Sequence, residues 1–437
     1  MNFDDYQLKT DGHACLVSLV CESFEGHTTE VESKESLREL RELLRTLDIS
    51  RGSEFIQNRK QLDAGTLLGK GFLEEIAEKA RKEEADILVF DFELSASQLR
   101  NIKEITKLEV VDRNTVILEI FARHAQTREA KIQIEISRLQ YILPRLTSLW
   151  THLSRQGGGL GVRGGEGEQQ IELDRRMIRK RIEFFKVELE EIATSRQEQR
   201  KKRQHKAVTA ALVGYTNAGK STLMNKLCKV NVLAEDKLFA TLDSTFRALN
   251  PDTKPPMILI DTVGFISNLP TSLVTGFKTT LESAVEADLL VVVVDVSDAS
   301  WRKHLSVTEK VLGELGLSEK ERIVVFNKKD KITGPFDGRF ALRAVRDSFL
   351  ISASDDEDIK KLRSYIINYF LDKQTHYDLF IPYEDAKFHS VVRGQTNVVK
   401  EKSHEAGMFY RIRIPEFLFQ SLHLLPFLMA PELPRPW

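Results

Sequence analysis

Cysteine is scarce in this sequence. Only Cys15, Cys21 and Cys228 occur among 437 residues, at spacings that suit neither a metal cage nor a redox pair. A sparse, odd count excludes a disulfide framework and fits a reducing compartment. Long apolar runs are also missing: none approaches the roughly 18 residues of a membrane span, and the stretch near Leu289–Val294 has the length of a buried strand. The first residues, Met1-Asn2-Phe3-Asp4-Asp5, lack a secretion-signal profile, so a cytoplasmic protein is expected. Net charge is almost nil, with 64 Lys and Arg against 65 Asp and Glu. That excludes a globally basic nucleic-acid binder and leaves room for a local basic patch.

What is present is ordinary for a globular chain, 41% hydrophobic and 30% charged, and long enough for about three domains of roughly 150 residues. Against this background one stretch stands out, Gly214-Tyr215-Thr216-Asn217-Ala218-Gly219-Lys220-Ser221, which matches G-x-x-x-x-G-K-[ST] at every fixed position. An apolar run precedes it (207–213) and a helical pattern beginning Ser221-Thr222 follows, the strand–loop–helix context the motif requires. Backbone N–H groups of such a loop, backed by a helix N-terminus, cradle phosphates. Lys220 reaches the outer phosphates and the Ser221 hydroxyl ligates Mg²⁺.

Three further signals lie at strand ends. Residues 257–260 lead into Asp261-Thr262-Val263-Gly264, where the carboxylate suits the Mg²⁺ shell and the Gly264 N–H the γ-phosphate. Residues 323–326 lead into Asn327-Lys328-Lys329-Asp330. The last carboxylate can accept from N1–H and N2–H₂ of guanine, donors that adenine lacks, and such sites discriminate by roughly 10⁴-fold or more. Ser352-Ala353-Ser354 follows a third run and offers backbone donors to the guanine O6. Each tetrapeptide is weak alone; their order and strand-end placement indicate GTP. Between Ser221 and Asp261 lies Phe239-Ala240-Thr241-Leu242-Asp243-Ser244-Thr245, the place of a switch whose threonine completes the Mg²⁺ shell. Thr241 is preferred to Thr245 on spacing. The residue after Gly264 is Phe265 where some GTPases carry a water-orienting glutamine, so Lys220, Thr241 and Gly264 are left to the catalytic step and turnover should wait for a partner. Asn217 either ligates a monovalent cation, K⁺, beside the phosphates or occupies a tolerant position.

The remaining pattern predicts four parts: an α/β domain over 1–114, a helical hairpin over 115–206, an α/β nucleotide domain with a mostly parallel sheet over 207–373, and a small α+β domain over 374–437. The hairpin is expected as one long helix from Thr115 to about Trp150, a loop over 157–167 with seven glycines among eleven residues, and a second helix from Ile171 to about Lys206. Its basic end, Arg196, Arg200, Lys201, Lys202, Arg203 and Lys206, reads as a solvated face or as a contact for nucleic-acid phosphates. The aromatic tail Phe417, Phe419 and Phe427 is expected in a core.

Taken together, Phe239-Ala240-Thr241-Leu242-Asp243, Asp261-Thr262-Val263-Gly264-Phe265-Ile266 and Leu269-Pro270 resemble the HflX family of ribosome-associated GTPases. So do Val111-Asp112-Arg113, the stretch Gln140-Tyr141 to Leu143-Pro144-Arg145-Leu146, and Gly157-Gly158-Gly159 through Leu173-Asp174-Arg175-Arg176. Ser244 replaces the family's usual proline, and Ser354 continues into Asp355-Asp356-Glu357 rather than toward glycine. The resemblance implies a monomeric GTPase that binds the large ribosomal subunit and its RNA and dissociates stalled or idle ribosomes under stress. It implies an N-terminal domain that restrains hydrolysis, and ribosomal RNA contacts from the tip (Gly157–Gly159, Arg163), from Arg175 and Arg176, and from the run Arg200–Arg203. The competing reading is a nucleotide-gated RNA-binding or assembly factor in which hydrolysis is incidental; a third treats the hairpin as a dimerising coiled coil.

Overall fold

The computed structural model describes residues 12–22, 27–146, 164–204, 207–229, 238–239, 244–250, 253–267, 284–332 and 347–429, with side chains at 171–194 for the helix over 164–204. The chain divides into two compact units. One comprises the described residues before Ile192 together with Leu238 and Phe239; the other holds the rest.

In the first unit, β1 (His13–Val20), β2 (Ser50–Asn58), β3 (Ile87–Phe90) and β4 (Glu109–Asp112) form a parallel sheet of order β2-β1-β3-β4. Helices α1 (Glu30–Thr46), α2 (Lys70–Lys82) and α3 (Ala96–Thr106) make the crossovers. The leucine spacing of α1 buries Leu37, Leu40, Leu43 and Leu44, and a capping box between Thr29 and Glu32 starts the helix. Strand β2 escaped the sequence reading because it is a polar edge strand in which Phe55 alone is buried; pairing with β1 supplies what its composition does not.

The helix expected over 115–150 is two helices, α4 (Arg113–His124) and α5 (Arg128–Ile142), followed by a 3₁₀ turn at Leu143–Arg145. The break has a local cause. Ala125 is extended, and the Thr127 hydroxyl oxygen accepts from the Ala130 N–H at 3.2 Å, capping a new helix. Helix α6 (Gly164–Gln204) begins earlier than expected, so 164–167 are helical rather than loop. Extending an established helix needs no new nucleation, and glycine there costs about 1 kcal/mol relative to alanine. Gly157–Gly159 and Arg163 lie outside the described residues. Helices α5 and α6 pair antiparallel, as expected of a hairpin: Arg128 meets Glu188 at 2.7 Å, and Arg181 meets Glu135 at 3.4 Å.

In the second unit, β5 (Val208–Gly214), β6 (Thr245–Asn250), β7 (Met257–Asp261), β8 (Leu289–Asp295), β9 (Arg322–Asn327) and β10 (Ser348–Leu350) form a sheet of order β10-β9-β8-β5-β7-β6. All pairs are parallel except β6, which runs antiparallel to β7. Among the described residues, helices α7 (Lys220–Leu227), α8 (Trp301–Glu314) and α9 (Asp356–Asp372) pack with it. Strands β5 and β8 are apolar almost throughout and buried, as strands covered on both faces must be.

The same unit ends in an antiparallel sheet of order β11-β13-β12, from β11 (Thr375–Pro382), β12 (Asn397–His404) and β13 (Gly407–Ile414). Helices α10 (Ala386–Gln395) and α11 (Glu416–Ser421) accompany it. Phe419 is buried and stacks on Tyr377 at 3.8 Å, and Phe427 packs on Phe388 at 4.7 Å. Phe417, expected in the core, is instead 38% exposed, because residues two apart on a helix such as α11 lie on nearly opposite faces and Phe419 takes the buried one.

Candidate functional site

The C-terminal ends of β5, β7, β8 and β9 converge, and every strand-end motif of the sequence meets there. Gly214 sits at φ +148°, and a Cβ on it would lie 2.2 Å from the Val293 carbonyl oxygen. Gly219, at φ +90°, would place one 2.4 Å from the Asn327 amide nitrogen. Only glycine fits either place. The loop between them then enters α7.

Lys220 is buried, and its ammonium donates to the carbonyls of Gly214 (3.1 Å) and Tyr215 (2.8 Å). Burial pushes its pKa down to about 8, while the Asp261 carboxylate pulls the other way. The Ser221 hydroxyl donates to Asp261 Oδ2 at 2.7 Å. A hydroxyl and a carboxylate at one point are hard oxygen donors of the kind Mg²⁺ takes, so both residues fit that ion. Thr222 is exposed in the first turn of α7, and Asn217 is exposed at φ 56°. Thr216 and Ala218 are buried within the loop.

After β7 the chain stays against the phosphate loop. The Phe265 N–H donates to the Gly214 carbonyl at 3.0 Å, and the Thr216 N–H donates to the Phe265 carbonyl at 2.7 Å. The Phe265 side chain is 2% exposed, so it is a packing residue fixed by backbone on both sides. Gly264 sits so close that a Cβ would come within 2.8 Å of the Thr216 Cα and 3.0 Å of the Lys220 ammonium. Val263 is buried, and the Thr262 hydroxyl donates to the Leu212 carbonyl at 2.6 Å. Thr262 thus ties β7 to β5.

The base-side motif also has internal work. Asn327 is 1% exposed; its amide donates to the Ala218 carbonyl at 3.0 Å and its oxygen accepts from the Ala353 N–H at 3.0 Å. It braces the phosphate loop against the loop after β10. Lys328 adopts φ 64° and pairs with Asp295 at 2.8 Å. A hydrogen bond from Ser352 holds the Asp330 carboxyl below its usual range, so it stays ionised. The Ser352 N–H donates to Asp358 at 2.8 Å, and the Ser354 N–H to the Ser352 hydroxyl at 3.1 Å. The departure at Asp355 has a structural role: its carboxylate accepts from the Glu357 N–H at 2.9 Å and caps α9.

The sequence reading missed some members of this neighbourhood. The Tyr215 ring stacks on His304 at 3.9 Å, and its hydroxyl accepts from the Ser267 N–H at 2.7 Å. Asp295 was findable as the acidic end of β8; His304 carried no local signal. Of the two switch threonines, Thr245 lies in β6 opposite Asp261, and Thr241 lies outside the described residues. Phe239 is described, buried at φ 57°. In the first unit, Arg113 is buried between Asp91 (2.9 Å) and Glu39, and Asp112 caps α4 through the Thr115 N–H at 3.0 Å. Arg175 is half-buried and Arg176 exposed on α6, while the side chains of Arg200–Arg203 are outside the described residues.

Comparison with known proteins bears on this geometry. Residues 34–122 match a family described as GTP-binding GTPase N-terminal, 124–203 its middle region, and 209–328 a 50S ribosome-binding GTPase. A GTPase HflX of Lacrimispora saccharolytica is 41% identical over 90% of this chain and 92% of its own. One from Magnetococcus marinus is 39% identical over 89% and 90%. Among solved structures, an SsGBP–GDP complex is 26% identical, with TM-score 0.49, over 82% of this chain and 98% of that one. The chain binds guanine nucleotide and is a GTPase. Among the described residues no helix is long and apolar enough to cross a membrane.

Proposed function

Since the chain belongs to the HflX family of GTPases, we propose that it binds the large ribosomal subunit and dissociates stalled or idle ribosomes, with GTP turnover stimulated by that encounter. The observation that carries this reading is Phe265, buried and bound by backbone to the phosphate loop. A side chain without donor or acceptor cannot orient the attacking water, so the rate-determining group must come from elsewhere, and supplied groups accelerate such hydrolysis by about 10³–10⁵-fold. The 50S ribosome-binding description of the matching family over 209–328 points to the source.

In this reading Ser221, Asp261 and Thr241 serve Mg²⁺, which would neutralise charge on the outer phosphates, and Lys220 binds those phosphates. Asn217 serves K⁺, being exposed at the loop's left-handed position. Asp330 reads guanine, and the tip glycines with Arg163 and the basic end of α6 meet ribosomal RNA. The protein acts as a cytoplasmic monomer. The test is GTP turnover with purified large subunits added: stimulation well over tenfold is expected, and no stimulation by subunits or whole ribosomes defeats the proposal.

A further inference from the structure

The segment that follows β7 is fastened to the phosphate loop by more than main chain. Two backbone bonds pair Phe265 with Gly214 and Thr216. The residue between those two, Tyr215, adds its side chain. Its hydroxyl oxygen accepts from the Ser267 N–H at 2.7 Å and exchanges a second hydrogen bond of 2.7 Å with the Ser267 hydroxyl. Three consecutive loop residues therefore hold positions 265 and 267.

The ring that carries this hydroxyl is fixed in turn. Tyr215 is buried and lies face-on to the His304 imidazole, the centroids 3.9 Å apart and the planes 12° from parallel. His304 stands about one turn into α8. The first residue of that helix, Trp301, is buried and packs edge-on against Phe326 of β9 at 5.5 Å. Phenylalanine at 215 would fill the same space and keep the stack; it would lack only the hydroxyl that reaches Ser267.

What these bonds place is Gly264, the residue before them. A Cβ on it would meet the Thr216 Cα at 2.8 Å and the Lys220 ammonium at 3.0 Å, so its backbone lies beside the cation that binds the outer phosphates. We propose that Tyr215 is a positioning residue for the Gly264 N–H, and that its hydroxyl, backed by His304, sets part of the site's preference for GTP over GDP. This rests on the reading of the Gly264 N–H as the donor to the γ-phosphate. A segment fixed by the protein has little freedom left to lose when phosphate binds, so more of that hydrogen bond goes into affinity. GDP has no γ-phosphate and gains nothing from the arrangement.

The experiment measures the affinity of the full chain for GDP and for the non-hydrolysable imido analogue of GTP, by competition with a fluorescent guanine nucleotide and without ribosomes. Tyr215→Phe should lower the ratio of analogue to GDP affinity by about 2–10-fold, the range that one hydrogen bond commands, with GDP affinity unchanged. His304→Ala should lower the ratio as well, and His304→Phe, which keeps an aromatic face against Tyr215, should restore it. A tyrosine that only fills space would, on substitution, lower Tm or weaken both nucleotides alike and leave the ratio in place. An unchanged ratio in Tyr215→Phe overturns the proposal. So does a raised one, which would mean that the hydroxyl holds the segment away from the γ-phosphate. Gly264→Ala separates the premise from the inference. If it lowers the ratio and Tyr215→Phe does not, Tyr215 is packing alone. If neither does, Gly264 is not the γ-phosphate donor and both readings fall. Ribosome-stimulated turnover is not the readout, so this role and ribosome action stand or fall separately.

Discussion

Phe239 sets its ring edge-on to Phe121 of α4, the centroids 4.6 Å apart and the planes at 74°. Beside it the Leu238 N–H donates to the Thr46 hydroxyl oxygen at 3.3 Å, at the end of α1. Two residues from the stretch between α7 and β6, where the GTPase switch is expected, are therefore packed on the N-terminal domain.

That contact carries the first prediction. An edge-to-face aromatic pair contributes about 0.5–1.5 kcal/mol beyond its buried area, up to roughly a tenfold change in an equilibrium. If the pair holds the switch back, Phe121→Ala frees it. Turnover of GTP without ribosomes should rise by about 2–10-fold, read as phosphate release at saturating nucleotide. An unchanged rate would show that the pair is packing alone.

Asp330 provides the second. The Ser352 hydrogen bond shifts its carboxyl further toward the ionised form, the state needed to accept two donors from guanine. Asp330→Asn removes that match, and a site left with mismatched hydrogen bonds loses roughly 10²-fold or more. Xanthine nucleotides, which reverse the donor at that edge, should gain. Competition of GTP and XTP against a fluorescent nucleotide checks this; retained preference for GTP would refute the assignment.

The nucleotide site was legible because its chemistry is written in contiguous residues. Gly214 to Ser221, Asp261 to Gly264 and Asn327 to Asp330 each need a fixed spacing, and the buried strands leading to them are continuous apolar runs. Where tertiary contacts decide, sequence reading fell short. Strand β2 is too polar to announce itself, and the break at Ala125 rests on one threonine cap inside an otherwise helical pattern. Asn327 entered the sequence reading only as the first residue of the motif that ends in Asp330; the Ala218 and Ala353 backbone groups that it satisfies are remote in sequence, 109 and 26 residues away.

That double role of Asn327 gives the third prediction. Asn327→Ala leaves two backbone groups without their partner, each costing about 1–3 kcal/mol when buried. The nucleotide-free protein should lose stability, with Tm lower by about 4 °C or more on the scale of 2–4 °C per kcal/mol for domains of this size. A residue serving the base alone would lower nucleotide affinity and leave that Tm in place. Calorimetry of the nucleotide-free protein separates the two.

Lys220 gives the last. Without nucleotide its ammonium has a pKa of about 8, against the usual 10.5, because burial disfavours the charge. The unfolded chain keeps this proton up to 10.5 while the folded one releases it near 8, so this group makes the free protein more stable as pH rises from 8 toward 10.5. Phosphate reverses the preference by favouring the charged form. Binding above pH 8 must therefore take up a proton, and GTP affinity should fall as pH rises through 8, by at most about tenfold per pH unit. Calorimetric titration at about pH 9 in buffers of different ionisation enthalpy should register an uptake approaching about one proton, which vanishes near pH 6.5. Lys220→Met should abolish the uptake along with most of the affinity. Binding heats that do not depend on the buffer at the higher pH would mean that Lys220 is already fully charged before the nucleotide arrives.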